Sequence, residues 1–170
     1  VTDDPVLIEL YEIWRRLHAD GQPPSRADVD PLVLGPVVLP HIILTELAEH
    51  GARLRYRLVG TAIINFAGED ITGRYADELM SGSYLDYIMG VNRECWERRK
   101  PVYCESRFRW DTGGTRWARR LFLPLREEVP PVILGAQTFG GCGDMDKRSF
   151  SAVIDGDRHH DVVAHHVLEA

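Results

Sequence analysis

Cysteine is scarce in this sequence: 170 residues hold three, Cys95, Cys104 and Cys142. Their wide spacing matches no zinc motif, and their odd number argues against a disulfide framework. A reducing cytoplasm is the expected location. No apolar run approaches the ~18 residues that a membrane span needs. The opening VTDDP is acidic, unlike the basic-then-apolar start of a secretory leader. Runs of basic residues are also missing. With a net charge of -6 and Lys and Arg spread through the chain, nucleic-acid binding is not expected. The GxSxG, P-loop and GxGxxG patterns are absent, which removes the commonest hydrolase, nucleotidase and dinucleotide signatures. Gly140-Gly141-Cys142-Gly143 is not followed by a helix with a phosphate-cradling pattern. There is no internal repeat.

What is present is enough for one domain with a real core: 44% of the residues are apolar, an ordinary share for a soluble globular chain. The most informative stretch is 54–74, LRYRLVGTAIINFAGEDITGR. Leu54, Tyr56 and Leu58 alternate with Arg55 and Arg57, as in a strand with one buried face. Ala62, Ile63, Ile64 and Phe66 are too apolar for an open loop and read as a short helix folded back over the strand. Gly68 and Gly73 suit backbone with positive φ.

Around this stretch the elements fall into order. Asp3-Asp4-Pro5 opens a helix carrying Leu7, Ile8, Leu10, Tyr11, Ile13, Trp14 and Leu17, which should stop near Gly21. Its apolar stripe is wider than one covering helix needs. Ile8 and Ile13 are therefore expected to be exposed and to contribute to a symmetric homodimer. Ser25-Arg26-Ala27-Asp28 resembles a capping box with Asp in place of Glu, opening a short helix through Leu32 that Gly35-Pro36 closes. A strand over 41–47 and a turn at His50-Gly51 make a hairpin with the strand over 54–60. A helix starting at Ser81 or Ser83 carries Leu85, Ile88, Met89, Asn92, Cys95 and Trp96 on one face and ends at Lys100-Pro101. Three strands follow, over 102–110, 116–125 and 132–139. In the second, Trp117, Leu121, Leu123 and Leu125 share a side. The third is apolar on both faces and reads as a central strand covered on both sides.

The combination YRLVGTAI, a short apolar helix and GEDITGR resembles the first half of a PAS domain. More narrowly, the chain is similar to a group of small, largely stand-alone bacterial PAS-like proteins, through LYEIWRRL, PSRADVDP and LPHIILTEL upstream and RWARRLFLPL and ILGAQTF downstream. The resemblance covers roughly 7–139. It implies an α+β fold in which a five-stranded antiparallel sheet has helices inserted after the second strand, with an N-terminal flanking helix. It also implies a sensory or protein-interaction role without a known ligand. The expected organisation is flanking helices over 1–35, a PAS-like core over 36–140 and a weakly helical or mobile tail over 141–170. In that tail Phe150, Val153 and Ile154 dock and Val162, Val163, Val167 and Leu168 form a marginal helix.

The expected activity is non-catalytic: a small apolar or aromatic ligand held between the concave sheet face and the inserted helices, with the signal leaving through protein contacts. The expected lining is Tyr56, Leu58, Ile64, Phe66, Trp96, Phe108, Trp117, Leu121 and Gln137. No cofactor is identified. Flavin photosensors of the wider fold carry a reactive cysteine on the helix after the second strand, and the stretch Thr61-Ala62-Ile63-Ile64-Asn65-Phe66-Ala67 has none. Nothing singles out a haem ligand, His41 included. His159-His160 and His165-His166 lack the four-residue separation of a helical metal pair. Arg116, Arg119 and Arg120 form a local basic patch across both faces of a strand, which reads as surface ion pairs or as an anion site. Glu69-Asp70 reads as a loop-holding pair. The alternatives are a ketosteroid-isomerase-like enzyme, for which Asp70, Glu105 or His41 would be the buried acid or base, and a ligand-free dimerisation module.

Overall fold

Asp4 fixes the start of the first helix. Its carboxylate accepts the backbone N–H groups of Val6 and Leu7 at 3.1 and 3.4 Å, two of the donors that a helix N-terminus leaves unsatisfied. Helix α1 (Pro5–Arg16) buries Leu7, Leu10, Ile13 and Trp14. The Trp14 indole N–H donates to the Pro124 carbonyl at 2.8 Å, tying the helix to the sheet. The helix ends at Leu17, short of Gly21. Ile13 is only 3% exposed, so of the two isoleucines expected to face outward only Ile8 does.

The computed structural model describes residues 2–109, 115–126, 129–142 and 160–169. The Ser25–Asp28 capping box forms, with the Ser25 N–H and Oγ donating to Asp28 at 2.8 and 2.7 Å. It opens only a single 3-10 turn, Arg26–Asp28, and not a helix through Leu32. Helix α2 (Pro31–Val38) starts afresh on the cap of Asp30 and bends at Gly35, where φ is 69°.

Strands β1 (Ile42–Ala48), β2 (Arg53–Val59), β3 (Val102–Arg109), β4 (Thr115–Pro124), β5 (Val132–Cys142) and β6 (His160–Val167) form one antiparallel sheet in the order β2-β1-β5-β4-β3-β6. Between β2 and β3 lie α3 (Thr61–Ala67), a 3-10 turn at Ala76–Glu78 and α4 (Gly82–Arg98). The sheet is covered on both sides. On the outer face α1 and α2 pack Leu7, Leu10, Trp14 and Val38 against Leu44, Leu121, Leu123 and Leu134. On the inner face α3 and α4 pack Ile63, Ile88, Val91 and Cys95 against Ile43, Tyr56, Cys104, Phe122 and Ile133.

Two expectations about the sheet are corrected. Among the described residues there are six strands, not five. The sixth is built from 160–167, where a marginal helix was expected, and it pairs with β3 from Val102↔Val167 to Phe108↔His160. The β-branched Val162, Val163 and Val167 suit that extended backbone. Strand β5 runs on to Cys142 opposite Thr115, two residues into the stretch over 141–170 that was expected as a weakly helical or mobile tail. Phe150, Val153 and Ile154 lie outside the described residues, as do residues 110–114 between β3 and β4.

Candidate functional site

Strand β2 and the segment after it build one wall of a cavity. The pairing of β1 with β2 slips between Leu44 and Thr45: Leu44 faces Leu58, Thr45 faces Tyr56, and Arg57 is left over as a bulge. A bulge resets the side-chain alternation. Leu54, Tyr56 and Val59 point inward, while Leu58 is turned to the outer face, 38% exposed. Arg57 reaches the buried carboxylate of Glu46. Gly60 then lies so close to Pro40 that a Cβ there would collide with the Pro40 carbonyl. Helix α3 ends at Gly68, whose φ is 85°. The Asp70 carboxylate accepts the Thr72 N–H at 2.9 Å, and Gly73, with φ 87°, donates to the Tyr56 carbonyl at 2.6 Å. The chain therefore returns along β2 and roofs the space over the sheet.

That space is about 290 Å³ and is lined chiefly by Ile43, Ile63, Phe66, Leu79 and Phe139, with Tyr56, Tyr84 and Gln137 as polar members. Phe66 on α3 stacks on Phe139 of β5, ring centroids 3.6 Å apart. Glu69, Arg74 and Glu78 stand at the cavity. Both carboxylates are exposed, and Glu78 has its pKa lowered, first by its hydrogen bond from Arg74.

A second chamber of about 40 Å³ adjoins the first and shares Ile43, Tyr56, Tyr84 and Gln137 with it. Here Thr45 Oγ1 donates to Asn92 Oδ1 at 2.7 Å, and Asn92 Nδ2 donates to the Ile88 carbonyl at 2.8 Å. Arg120 also lines this chamber and is 3% exposed. Its Nη1 donates to Ser106 Oγ at 3.1 Å and its Nη2 to the Tyr84 hydroxyl at 2.8 Å. Burial opposes the charge of Arg120, yet its pKa still lies above the ordinary arginine value, so the guanidinium stays charged. Burial in turn pushes the Tyr56 and Tyr84 phenols and the Cys104 thiol up, so they remain neutral.

Of the nine residues expected to line a pocket, Tyr56, Phe66 and Gln137 border the cavity. Phe108 lies behind it on the same face, edge-on to Tyr84 at 5.7 Å. Ile64 packs on that core without reaching the cavity. The other four are elsewhere. Trp96 is 38% exposed on the outer side of α4, because Tyr84, Ile88, Val91 and Cys95 set its buried face. Leu121 belongs to the outer core with Leu123 and Leu125. Trp117 shares that strand parity, lies over Gly140, and carries Arg119 at 4.5 Å from its ring. Leu58 is displaced by the bulge. Missed was Tyr84, and Arg120, read with Arg116 and Arg119 as surface ion pairs or as an anion site, was not placed among the pocket residues. Arg120 has the parity of Ala118 and Phe122, and it sits across the strands from Cys104 and Gln137, which is the signal that would have found it.

The other candidates also find positions. Arg119 ion-pairs with Glu105 and Asp3 at 3.0 and 2.9 Å, as a surface arginine should. Neither Glu105 nor Asp70 nor His41 borders the cavity; His41 lies in the 3-10 turn before β1, its Nδ1 3.2 Å from the Gln137 carbonyl. His165 meets Glu94 at 2.6 Å and Tyr87 at 3.3 Å, while His166 stacks near Tyr103. Among the described residues no group of three His, Cys, Asp or Glu side chains could hold a metal ion. Cys95 and Cys104 are buried apart from the cavity, and the α3 residues at the cavity, Ile63, Phe66 and Ala67, offer no thiol.

The sequence from residue 2 to residue 138 matches the PAS domain family. The chain belongs to that family. No curated protein matches it. Solved structures similar to this PAS domain include the LOV domain from the Erythrobacter litoralis EL346 blue-light activated histidine kinase, with 16% identity and a TM-score of 0.42 over 60% of this chain and 96% of that one. The light-state LOV domain of the blue-light photoreceptor Aureochrome1 is another, with 13% identity and a TM-score of 0.40 over 68% and 88% of the two chains. A light-oxygen-voltage domain studied with a flavin analogue has 14% identity and a TM-score of 0.42 over 65% and 83%. No helix among the described residues of this PAS domain is long and apolar enough to cross a membrane.

Proposed function

We propose that this PAS domain is a cytoplasmic, non-catalytic sensor that takes a small molecule with an apolar or aromatic body into the cavity under α3. Its occupancy leaves the domain through protein contacts. The observation that carries this reading is the cavity itself: about 290 Å³, with Ile43, Ile63, Phe66, Leu79 and Phe139 among its walls, Tyr56, Tyr84 and Gln137 as neutral polar members, and Glu69, Arg74 and Glu78 also at its lining. That is the lower end of the size range for small-molecule sites, and the mix of apolar walls with a few polar anchors is typical of them. The fitting route outward is β5. Gln137 and Phe139 face the cavity, and Thr138 between them bonds the cap of α1 on the other side. A ligand can shift that linkage only by as much as it discriminates between two arrangements of the sheet and α1.

The same reading includes a homodimer. Ile8 on α1 and Leu32, Val33 and Val37 on the neighbouring α2 are exposed apolar residues, and they stand where the expected N-terminal interface would lie. Ile8→Glu with Val37→Glu should then give a folded monomer by sedimentation; a monomeric wild type at high concentration ends that part of the proposal.

The ligand reading is tested by native mass spectrometry of the purified domain and by thermal shift with a panel of aromatic and aliphatic compounds. A ligand at ~1,000 times its dissociation constant adds about 4 kcal/mol, a plain shift. ATP, GTP and cyclic dinucleotides should give none. Ala67→Phe, which fills the cavity from α3, should abolish the shift while the domain stays folded. Trp117→Ala should leave it intact, because Trp117 lies on the outer face. No shift with any compound, or a shift confined to nucleotides, defeats the reading.

A further inference from the structure

We propose that the ligand of this cavity is a carboxylic acid, bound as its carboxylate against Arg120 in the 40 Å³ chamber, with its apolar body in the larger space. This rests on the cavity being a ligand site, as argued above, and names the chemical class that it takes.

The argument starts from an imbalance of charge. Arg120 is 3% exposed on the inner face of a central strand, and a guanidinium keeps its charge in proteins. A buried charge is ordinarily paired. Among the described residues no carboxylate forms an ion pair or hydrogen bond with Arg120; its partners are neutral, the hydroxyl oxygens of Ser106 and Tyr84, the Cys104 sulfur, and the Tyr84 and Phe108 rings, whose centroids lie 5.9 and 6.0 Å from the guanidinium carbon. The groups that act on its charge are Tyr84, Cys104, Tyr87 and Tyr56, none of which is an anion when its proton is held. The contrast with Arg119, one residue earlier and facing the other way, is direct: it has both Glu105 and Asp3. A guanidinium carries five N–H donors, and two bonds to neutral hydroxyls leave donors for a further acceptor.

The second observation is place. The chamber that Arg120 lines has room for a group the size of a carboxylate, since by the same measure a water needs only ~10–15 Å³. It lies directly beside the main cavity, the two sharing Ile43, Tyr56, Tyr84 and Gln137. A carboxylate there meets the planar fork of the guanidinium, which suits two-point recognition. The attached body then extends toward the Phe66–Phe139 stack. A cation beside the small chamber and the apolar side chains of Ile63, Phe66, Leu79 and Phe139 in the larger space describe an amphipathic acid.

The test uses the whole chain and three kinds of probe, measured by calorimetry and thermal shift: phenylacetate and hexanoate; their neutral amides; and chloride with acetate as bare anions. The acids should bind at least about 30-fold more tightly than the amides. Arg120→Met, which keeps the stem and removes the charge, should lose that preference while its circular dichroism stays native. The preference in the wild-type protein decides the matter even where the variant fails to fold. Equal binding of acid and amide overturns the carboxylate inference and leaves the cavity reading standing. Bare anions as effective as phenylacetate overturn it too, because the apolar body then contributes nothing. An absence of binding by acids, amides and the neutral aromatic panel overturns both readings together.

Discussion

Thr138 donates its hydroxyl to the Asp4 carboxylate at 2.6 Å, so the cap of the first helix is also its bond to a central strand. Asp4 is 8% exposed and holds the N–H groups of Val6 and Leu7 as well. Asp4→Ala should therefore cost about 1–2 kcal/mol in urea unfolding, at the upper end for a lost cap. Thr138→Val, which leaves the two backbone bonds, should cost less. Equal stability of Asp4→Ala and wild type would contradict the assignment.

Two glycines near the cavity should fail for different reasons. At Gly73 an added Cβ meets nothing within 4 Å, and only φ of 87° resists it. Gly73→Val should cost on the order of 1–3 kcal/mol through backbone strain, and Gly73→Asn, which tolerates positive φ, should recover most of it. At Gly60 the backbone is extended, with φ -71°, yet the Pro40 carbonyl blocks a Cβ. Gly60→Ala and Gly60→Asn should be equally damaging, as seen in the denaturation midpoint.

Burial pushes the Cys95 and Cys104 thiols up, and the nucleophile toward thiol reagents is the thiolate. In a Cys142→Ser background the native protein should leave both unmodified by a chromogenic disulfide at pH 8, and release two thiols on denaturation. Fast labelling under native conditions would mean that α4 does not pack on β3 as described.

The segment that roofs the cavity should weaken in acid. Arg53 bonds Asp77 through Nε and Nη2 at 3.0 and 2.9 Å, and its hydrogen bonds hold the Asp77 carboxyl below its ordinary value of 3.8. A depressed carboxylate contributes stability that is present above 3.8 and lost as pH falls through the lowered value. Asp77→Asn should thus melt below wild type at pH 7, with the gap closing below about pH 4. A gap that is constant with pH would remove the ion pair from the account.

Local chemistry was readable where one residue decides the outcome. Asp4 before Pro5, Ser25 with Asp28, and the positive-φ positions Gly68 and Gly73 each act within a few residues, and each forms as expected. The order of the first five strands followed from periodicity and from the family resemblance. What was misread depends on pairing between strands. The bulge at Arg57 comes from the register of β2 against β1, and it turns Leu58 away. On β4 both faces are covered, so RWARRLFLPL offers two apolar sets. Choosing the one with Leu121 placed Trp117 in the cavity and left Arg120 with Arg116 and Arg119, as surface ion pairs or an anion site, outside it. The sixth strand was missed because 160–167 mixes histidines and valines without alternation, and its partner is remote in the chain.

That remoteness bears on the order of assembly. The Tyr11 hydroxyl donates to the Glu169 carbonyl across 158 positions of chain, and Lys100 holds the Glu169 carboxylate at 2.8 Å. Closing so long a loop gains little locally for the entropy it removes, and distant pairings of this kind slow folding. During synthesis the inner and outer cores can gather from residues up to Ala136 before these contacts exist. Strand β6 and the Glu169 clasp join only after residue 169 has left the ribosome, so the growing chain carries β3 as an open sheet edge until then.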